Sequence, residues 1–338
     1  MPRTAQAPTF PGHAEIRLVE RVYRDPGVGE LLISPRANAI CGTDRGMFLE
    51  GVGHVPGHET AGVVLAVGPG TDVAVGTRGV IYLMDFCGTC RSCLLGATNQ
   101  CLAKRGDMGI NADGGYGPLE LVHESNFFPI SDGIPLETAT MLLDVMGTSS
   151  HAIGRAQLVM PDIESVYIAG AGPIGLGLVV MAKLRLGEDL PVYISDISPW
   201  RRNFAESFGA IPIDASDPSA LRSVGQPDVA FDASGREVAR RTALDILAQR
   251  GALVCVGHGE GISLGVSDDL IAPEHAVLGS EYFRYDELAG NLALLEAHHD
   301  LISRVITHSF PIEELDAAFE AFLSGETGKV VVTQEGSE

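Results

Sequence analysis

Four of the six cysteines in this 338-residue chain fall in one short stretch, "CGTCRSCLLGATNQC", at Cys87, Cys90, Cys93 and Cys101. The spacing C-x2-C-x2-C-x7-C allows four thiolates to surround a zinc ion tetrahedrally, with no position left for water or substrate. A site closed in this way is structural: it orders a loop short of core residues, and zinc binding to folded thiolate sites is worth on the order of 10 kcal/mol. A thiol redox switch is the competing use. In a reducing cytoplasm a metal site is favoured over disulfides.

A second set of ligand-type residues is scattered: Cys41, Thr43 and Asp44 in "AICGTDRG", His58 and Glu59 in "VPGHETAG", and Asp144 in "LLDVMGTSSHA". A buried cysteine, a packed histidine and a helix-end carboxylate all have ordinary structural readings. Spacing alone leaves both uses open.

In "VYIAGAGPIGLG", Gly170, Gly172 and Gly175 form a GxGxxG between an expected strand and an expected helix that opens at Pro173 and Ile174. The first glycine permits the tight turn, the second lets backbone approach a pyrophosphate, and the third allows close helix packing. The helix N-terminus offers N–H groups and a positive dipole end to phosphates. Asp196 ends the next expected strand, 21 residues after Gly175. There a carboxylate binds both hydroxyls of an adenosine ribose and repels a 2'-phosphate, which favours NAD. Arg201 and Arg202 nearby keep NADP open.

These residues need two kinds of support. Residues 14 to 40 alternate apolar and polar positions in "AEIRLVERVY" and "GELLISPRANAI", and "TAGVVLAVG" and "RGVIYLM" continue the pattern, so the first 130 residues read as β-rich, with loops carrying Cys41, His58 and the cysteine cluster. From about residue 135 the pattern changes. "LETATMLLDVMGTSSHAIGRAQL" has helical spacing, and strands at "SVYIAGAG", "PVYISD", "PDVAFDASG" and "GALVCVG" are separated by helices such as "SPWRRNFAESFG". Repeated βα units imply an α/β fold with a doubly wound parallel sheet. The closing "ITHSFPIEELDAAFEAFLSGETGKVVVTQ" reads as loop, helix and strand.

Composition bounds the partners. With 45% hydrophobic and 20% charged residues the chain has the make-up of compact domains. Acidic residues outnumber basic ones 44 to 23, a formal charge of -21. Such a surface repels phosphate backbones and anionic lipids, which argues against nucleic acid and membrane as partners. "MPRTAQAPTFPGHAEIRL" has no apolar run of secretory type, and "IAGAGPIGLGLVVMA" is too short to span a bilayer, which takes roughly 20 apolar residues. A cytoplasmic location is expected.

The order of "CGTD", "GHE", the four-cysteine lobe and "AGAGPIGLG", with "DASGR", "VCVGH" and "FLSGETGKVVV" behind them, resembles the zinc-dependent medium-chain alcohol dehydrogenase family over nearly the whole chain. The resemblance implies a GroES-like β-rich catalytic domain, residues 1–145 and 286–338 with a structural zinc lobe at 87–101, around a Rossmann domain at 146–285. It implies two zinc ions per chain, one catalytic and one structural. Cys41 and His58 match two ligands of the catalytic zinc. Asp144 stands where many members have a cysteine, four residues before Thr148, which matches a threonine that contacts the nicotinamide. Glu59 matches a residue that lies beside the zinc and can ligate it, so Asp144 and Glu59 are both candidates for the resting ligand. Thr43 matches the hydroxyl that takes the alcohol proton, and Asp44 orients His58. Val256, in "VCVGH", joins the cofactor-binding residues.

Two departures concern the proton and the pyrophosphate. Gly46 replaces a histidine that ends the proton relay in many members, and Gly42 replaces an arginine that some place on the pyrophosphate. A zinc with three protein ligands keeps a position for a substrate hydroxyl and lowers its pKa toward about 7, as it does for water, before hydride passes to the nicotinamide. The expected activity is NAD-dependent oxidation of a secondary alcohol, a polyol or a sugar, by a homodimer or homotetramer. Two alternatives stand beside it. One is a simple alcohol or aldehyde dehydrogenase or reductase, favoured by an apolar pocket around Phe48, Leu49 and Met146. The other is a non-catalytic nucleotide-binding protein on the same scaffold.

Overall fold

The computed structural model describes residues 3–335; residues 1–2 and 336–338, the outermost of those assigned above to the catalytic domain, lie outside them. The chain forms two compact units, one made of the residues up to Leu143 with those from Arg284 onward, the other spanning Asp144–Phe283.

The first unit opens with an antiparallel hairpin, β1 (Arg3–Gly12) and β2 (Glu15–Tyr23). It is followed by β3 (Glu30–Ala39), β4 (Thr60–Val67), β5 (Arg78–Ile81), the short pair β6 (Met84–Asp85) and β7 (Gly106–Asp107), β8 (Glu120–His123) and β9 (Phe127–Pro129). β3 is buried along almost its whole length because it is central, hydrogen-bonded to β4 and β8 and to a strand from the chain's end.

"AICGTDRG" forms no loop. Cys41 caps a helix, Gly42–Glu50, whose glycines hide it from the sequence pattern. The helix is held by an aromatic cluster, in which Phe48 packs on Phe319 with ring centroids 4.4 Å apart and on Phe10 at 5.3 Å. Such pairs add about 0.5–1.5 kcal/mol each beyond area burial.

The second unit is a six-stranded parallel sheet of β10 (Val166–Ala169), β11 (Val192–Asp196), β12 (Ile211–Asp214), β13 (Val229–Asp232), β14 (Ala252–Cys255) and β15 (Ala276–Gly279). Its order is β12-β11-β10-β13-β14-β15, the doubly wound arrangement that reverses between β10 and β13. β12 and β15 are absent from the sequence reading. Both are edge strands, which bury less, and β12 carries Pro212, tolerated where the ladder has one side.

The stretch expected as one helix from Leu136 is broken. A helical turn, Leu136–Ala139, and a 3-10 turn, Thr140–Leu142, end at Leu143, whose ψ of -109° leaves the helical region. A π-helical turn, Asp144–Thr148, then leads into the helix Ser149–Gln157. Helical periodicity survives the break because both sides remain buried.

After the second unit the chain returns to the first with β16 (Ile306–Pro311) and β17 (Lys329–Thr333), completing a seven-stranded sheet of order β16-β17-β3-β4-β5-β9, with β8 also on β3. β16 corrects the loop expected there: as a half-exposed edge strand it shows little hydrophobic pattern. Among the described residues no helix is long and apolar enough to cross a membrane.

Candidate metal and dinucleotide sites

In the first unit the ligand-type atoms of Cys41, His58 and Glu59 lie within 4.8 Å of one another. β3 ends just before Cys41, and β4 begins just after Glu59, so the antiparallel pairing of the two strands brings the "CGTD" and "GHE" segments side by side. His58 and Glu59 are buried, and Cys41 is partly exposed. A thiol, an imidazole and a carboxylate at this separation form a donor set suited to zinc.

Asp44 organises the group. As the third residue of its helix it accepts the Cys41 backbone N–H on Oδ2 at 2.9 Å, while Oδ1 lies 3.3 Å from His58 Nδ1. A carboxylate on Nδ1 fixes the ring and directs Nε2 toward a metal. Tyr116 donates its hydroxyl to the same Oδ2 at 3.1 Å. Burial, then the Asp44 charge, pushes the phenol well above its ordinary range, so it stays a donor. Tyr116 escaped the sequence reading because a tyrosine in a glycine-rich loop carries no local mark. So did Lys329, whose ammonium pairs with Glu59 in the interior.

Thr43 is exposed on the first turn of the helix. At Gly46 a β-carbon would meet no other group within 4 Å, so the position is open space. Phe48 is 4% exposed and packed in the aromatic cluster.

The four cysteines of the lobe have their sulfurs within 4.8 Å of one another and form no disulfide. Cys90 Sγ is 3.5 Å from Cys93 Sγ and 4.0 Å from Cys101 Sγ. These bracket the edge of about 3.8 Å for a tetrahedron with Zn–S bonds of about 2.3 Å. The backbone N–H groups of Cys90 and Leu102 point at the sulfurs of Cys87 and Cys90, at 3.3 and 3.4 Å. Backbone hydrogen bonds from Thr89 and Cys90 lower the Cys87 thiol to about 6, whereas burial and the Cys90 sulfur raise Cys93 to about 12. A cation held among such sulfurs favours their thiolate form. Arg284 Nε to the Gly96 carbonyl and the Tyr285 N–H to Thr98 Oγ1, both at 2.9 Å, tie the lobe to the returning chain.

In the second unit the glycine turn follows β10 at the point where strand order reverses. Gly170 has φ of +100°, and a β-carbon on Gly175 would sit 1.9 Å from the Gly170 carbonyl oxygen. At Gly172 a β-carbon would meet nothing nearer than Arg201 Nη1 at 4.0 Å, which leaves room for a pyrophosphate. The helix Pro173–Leu186, with Ile174 in its first turn, begins there. Asp196 accepts the Ala171 N–H on Oδ2 at 2.9 Å and the Ser198 N–H on Oδ1 at 2.8 Å, and Arg201 Nη1 is 4.0 Å from Oδ2. Each oxygen keeps a lone pair for a ribose hydroxyl. The arrangement fits a dinucleotide.

Thr148 lies in the π-helical turn that Asp144 opens, packed against the Pro173–Leu186 helix at Gly177, where a β-carbon would be 2.2 Å from the Val145 carbonyl oxygen. Val256 follows β14, its N–H on the Asp232 carbonyl at 2.9 Å.

The chain matches the model of the alcohol dehydrogenase GroES-like domain over residues 27–132 and that of the zinc-binding dehydrogenase over residues 173–297. An L-threonine 3-dehydrogenase of Rhizobium rhizogenes is 32% identical over 90% of this chain and 91% of its own length. The chain belongs to the zinc-dependent alcohol dehydrogenase family.

Among solved structures, the cobalt- and zinc-bound thermostable alcohol dehydrogenase of Pyrobaculum aerophilum is 28% identical, with a TM-score of 0.85, covering 98% of this chain and 100% of that one. The 2R,3R-butanediol dehydrogenase of Bacillus subtilis, 24% identical, shares the fold with a TM-score of 0.85 over 98% of this chain and 99% of that one. As a zinc-dependent alcohol dehydrogenase the protein is an enzyme, with zinc and NAD(P) as cofactors and small-molecule alcohols as substrates. The non-catalytic alternative falls away.

Proposed function

We propose that this enzyme oxidises a secondary alcohol bearing neighbouring polar groups, a polyol or sugar, with NAD as hydride acceptor. The observation that carries the reading is the convergence of Cys41, His58 and Glu59 around the Asp44 hub. Cys41, His58 and Asp144 hold the catalytic zinc, with Glu59 beside it, and Cys87, Cys90, Cys93 and Cys101 hold the structural one.

When bound, the catalytic metal would supply Lewis acidity for the substrate oxygen, and the nicotinamide would serve as hydride acceptor. The rest falls to the chain's own residues. Asp44 fixes the His58 ring. Thr43 Oγ1 takes the hydroxyl proton and passes it to solvent, since Gly46 offers no relay side chain. Gly170, Gly172 and Gly175 seat the pyrophosphate, Asp196 takes the adenosine ribose, and Thr148 and Val256 border the cofactor.

Two relatives support the substrate class by their names: threonine and 2R,3R-butanediol are both secondary alcohols with a polar group on the adjacent carbon. The placement of Asp196 beside the glycine turn supports NAD, because a carboxylate there repels a 2'-phosphate. The test is reduced-nicotinamide formation across polyols, aldoses, hydroxy amino acids and simple alcohols, with NAD and NADP, before and after chelation. Chelator-sensitive turnover with NAD, concentrated on polar secondary alcohols, is expected. Turnover confined to simple primary alcohols would overturn the substrate class, and a preference for NADP would overturn the cofactor.

A further inference from the structure

Lys329 is fully buried, and its ammonium pairs with Glu59 Oε1, which is fully buried too. The pairing follows from strand register. In the antiparallel ladder Val331 stands opposite Ala39, and the Ile40 N–H bonds the Val330 carbonyl, so two residues further Lys329 comes level with Cys41. Buried lysines are rare, and one this deep is retained only with a partner of opposite charge. The partner here belongs to the group whose donor atoms lie within 4.8 Å of one another.

A carboxylate shared between an ammonium and a metal donates less to the metal. One oxygen of Glu59 is committed to Lys329, and the cation lowers the electron density the other can offer. From this we infer that Lys329 is a positioning residue: it restrains Glu59 as a reserve ligand, beside the metal but off it, and so keeps a coordination position open for substrate. Without the ammonium, Glu59 swings onto the metal and fills that position. The inference rests on the reading that Cys41 and His58 hold the catalytic zinc.

The test is cobalt(II) substitution of the holoenzyme, reading metal stoichiometry, the visible ligand-field bands and the rate of metal release to a chelator. In Lys329→Met, which keeps the length of the side chain and removes its charge, the bands weaken as a further ligand joins, and release slows by about tenfold or more, the scale on which partners of metal ligands act. Lys329→Arg behaves like the native chain. The double change Glu59→Gln with Lys329→Met leaves no unpaired charge in the interior and restores native bands and release.

Native spectra and release in Lys329→Met, or failure of the double change to restore them, overturn the inference. Should Lys329→Met not fold, Glu59→Gln alone decides: unchanged bands are expected, and altered bands mean that Glu59 already ligates. If the native chain holds a single metal per chain, lost on Cys90→Ser and retained on Cys41→Ser, the site reading itself fails, and the inference with it.

Discussion

Asp44 Oδ1 lies 3.3 Å from His58 Nδ1, while the other oxygen of the same carboxylate holds the backbone N–H of Cys41. One buried side chain therefore contacts both Cys41 and His58, two proposed metal donors that are far apart in sequence. Asp44→Asn keeps an oxygen for the Cys41 N–H and loses the negative charge facing the imidazole. Metal affinity of the catalytic site falls about 10–100-fold, measured by chelator competition, while the four-cysteine site is unaffected. Unchanged affinity would show that Asp44 serves the helix cap alone.

Asp144 is the proposed third ligand. Asp144→Ala loses about tenfold or more of turnover, at least the loss seen for partners of metal ligands, and still binds NADH with native affinity. Fluorescence titration of NADH and steady-state rates separate the two effects. Near-native turnover removes Asp144 from the ligand set.

Asp196 sits at the end of β11 with both oxygens already accepting backbone N–H groups. Asp196→Asn retains an acceptor for the glycine turn and removes the charge. Loss of a hydrogen bond to a charged group costs about 1.5–3 kcal/mol, so KM for NAD rises by about tenfold or more while the discrimination against NADP shrinks. A discrimination that stays as it was would assign cofactor choice elsewhere.

Glu120, on β8, titrates far from its ordinary range: burial raises it from 4.5 to about 8, with a partial offset from Thr60 and a further rise from Asp113. Between those two values the folded chain binds a proton that the unfolded chain has released, so stability falls as pH rises through that window. The slope is at most about 1.4 kcal/mol per pH unit. Denaturant titrations at about pH 5.5 and about pH 7.5 measure it. Glu120→Gln flattens the dependence, and an equal slope in both proteins would assign it to other groups.

How far the sequence reached differs from residue to residue. The cysteine lobe was legible because four thiols on one short loop have few other uses, and the glycine turn because its spacing sits between a strand and a helix. Cys41, His58 and Glu59 were legible only through resemblance, since nothing in a linear chain says that residues 41 and 58 meet. β12, β15 and β16 stayed hidden because edge strands bury one side and show little hydrophobic pattern. The helix after Cys41 stayed hidden behind Gly42 and Gly46.

The chain by itself carried two local patterns: four thiols spaced for a metal, and a glycine turn followed by an aspartate, suited to a dinucleotide. Those depend on residue type and short spacing, which local sequence carries. Only tertiary structure decided which distant partners meet. Asp44 reaches His58 because β3 and β4 pair antiparallel, and Lys329 reaches Glu59 because the last strand lies against β3 in a register that levels it with Cys41. A buried charge is stable only where the fold supplies its counter-charge, and that requirement joins residues 270 positions apart.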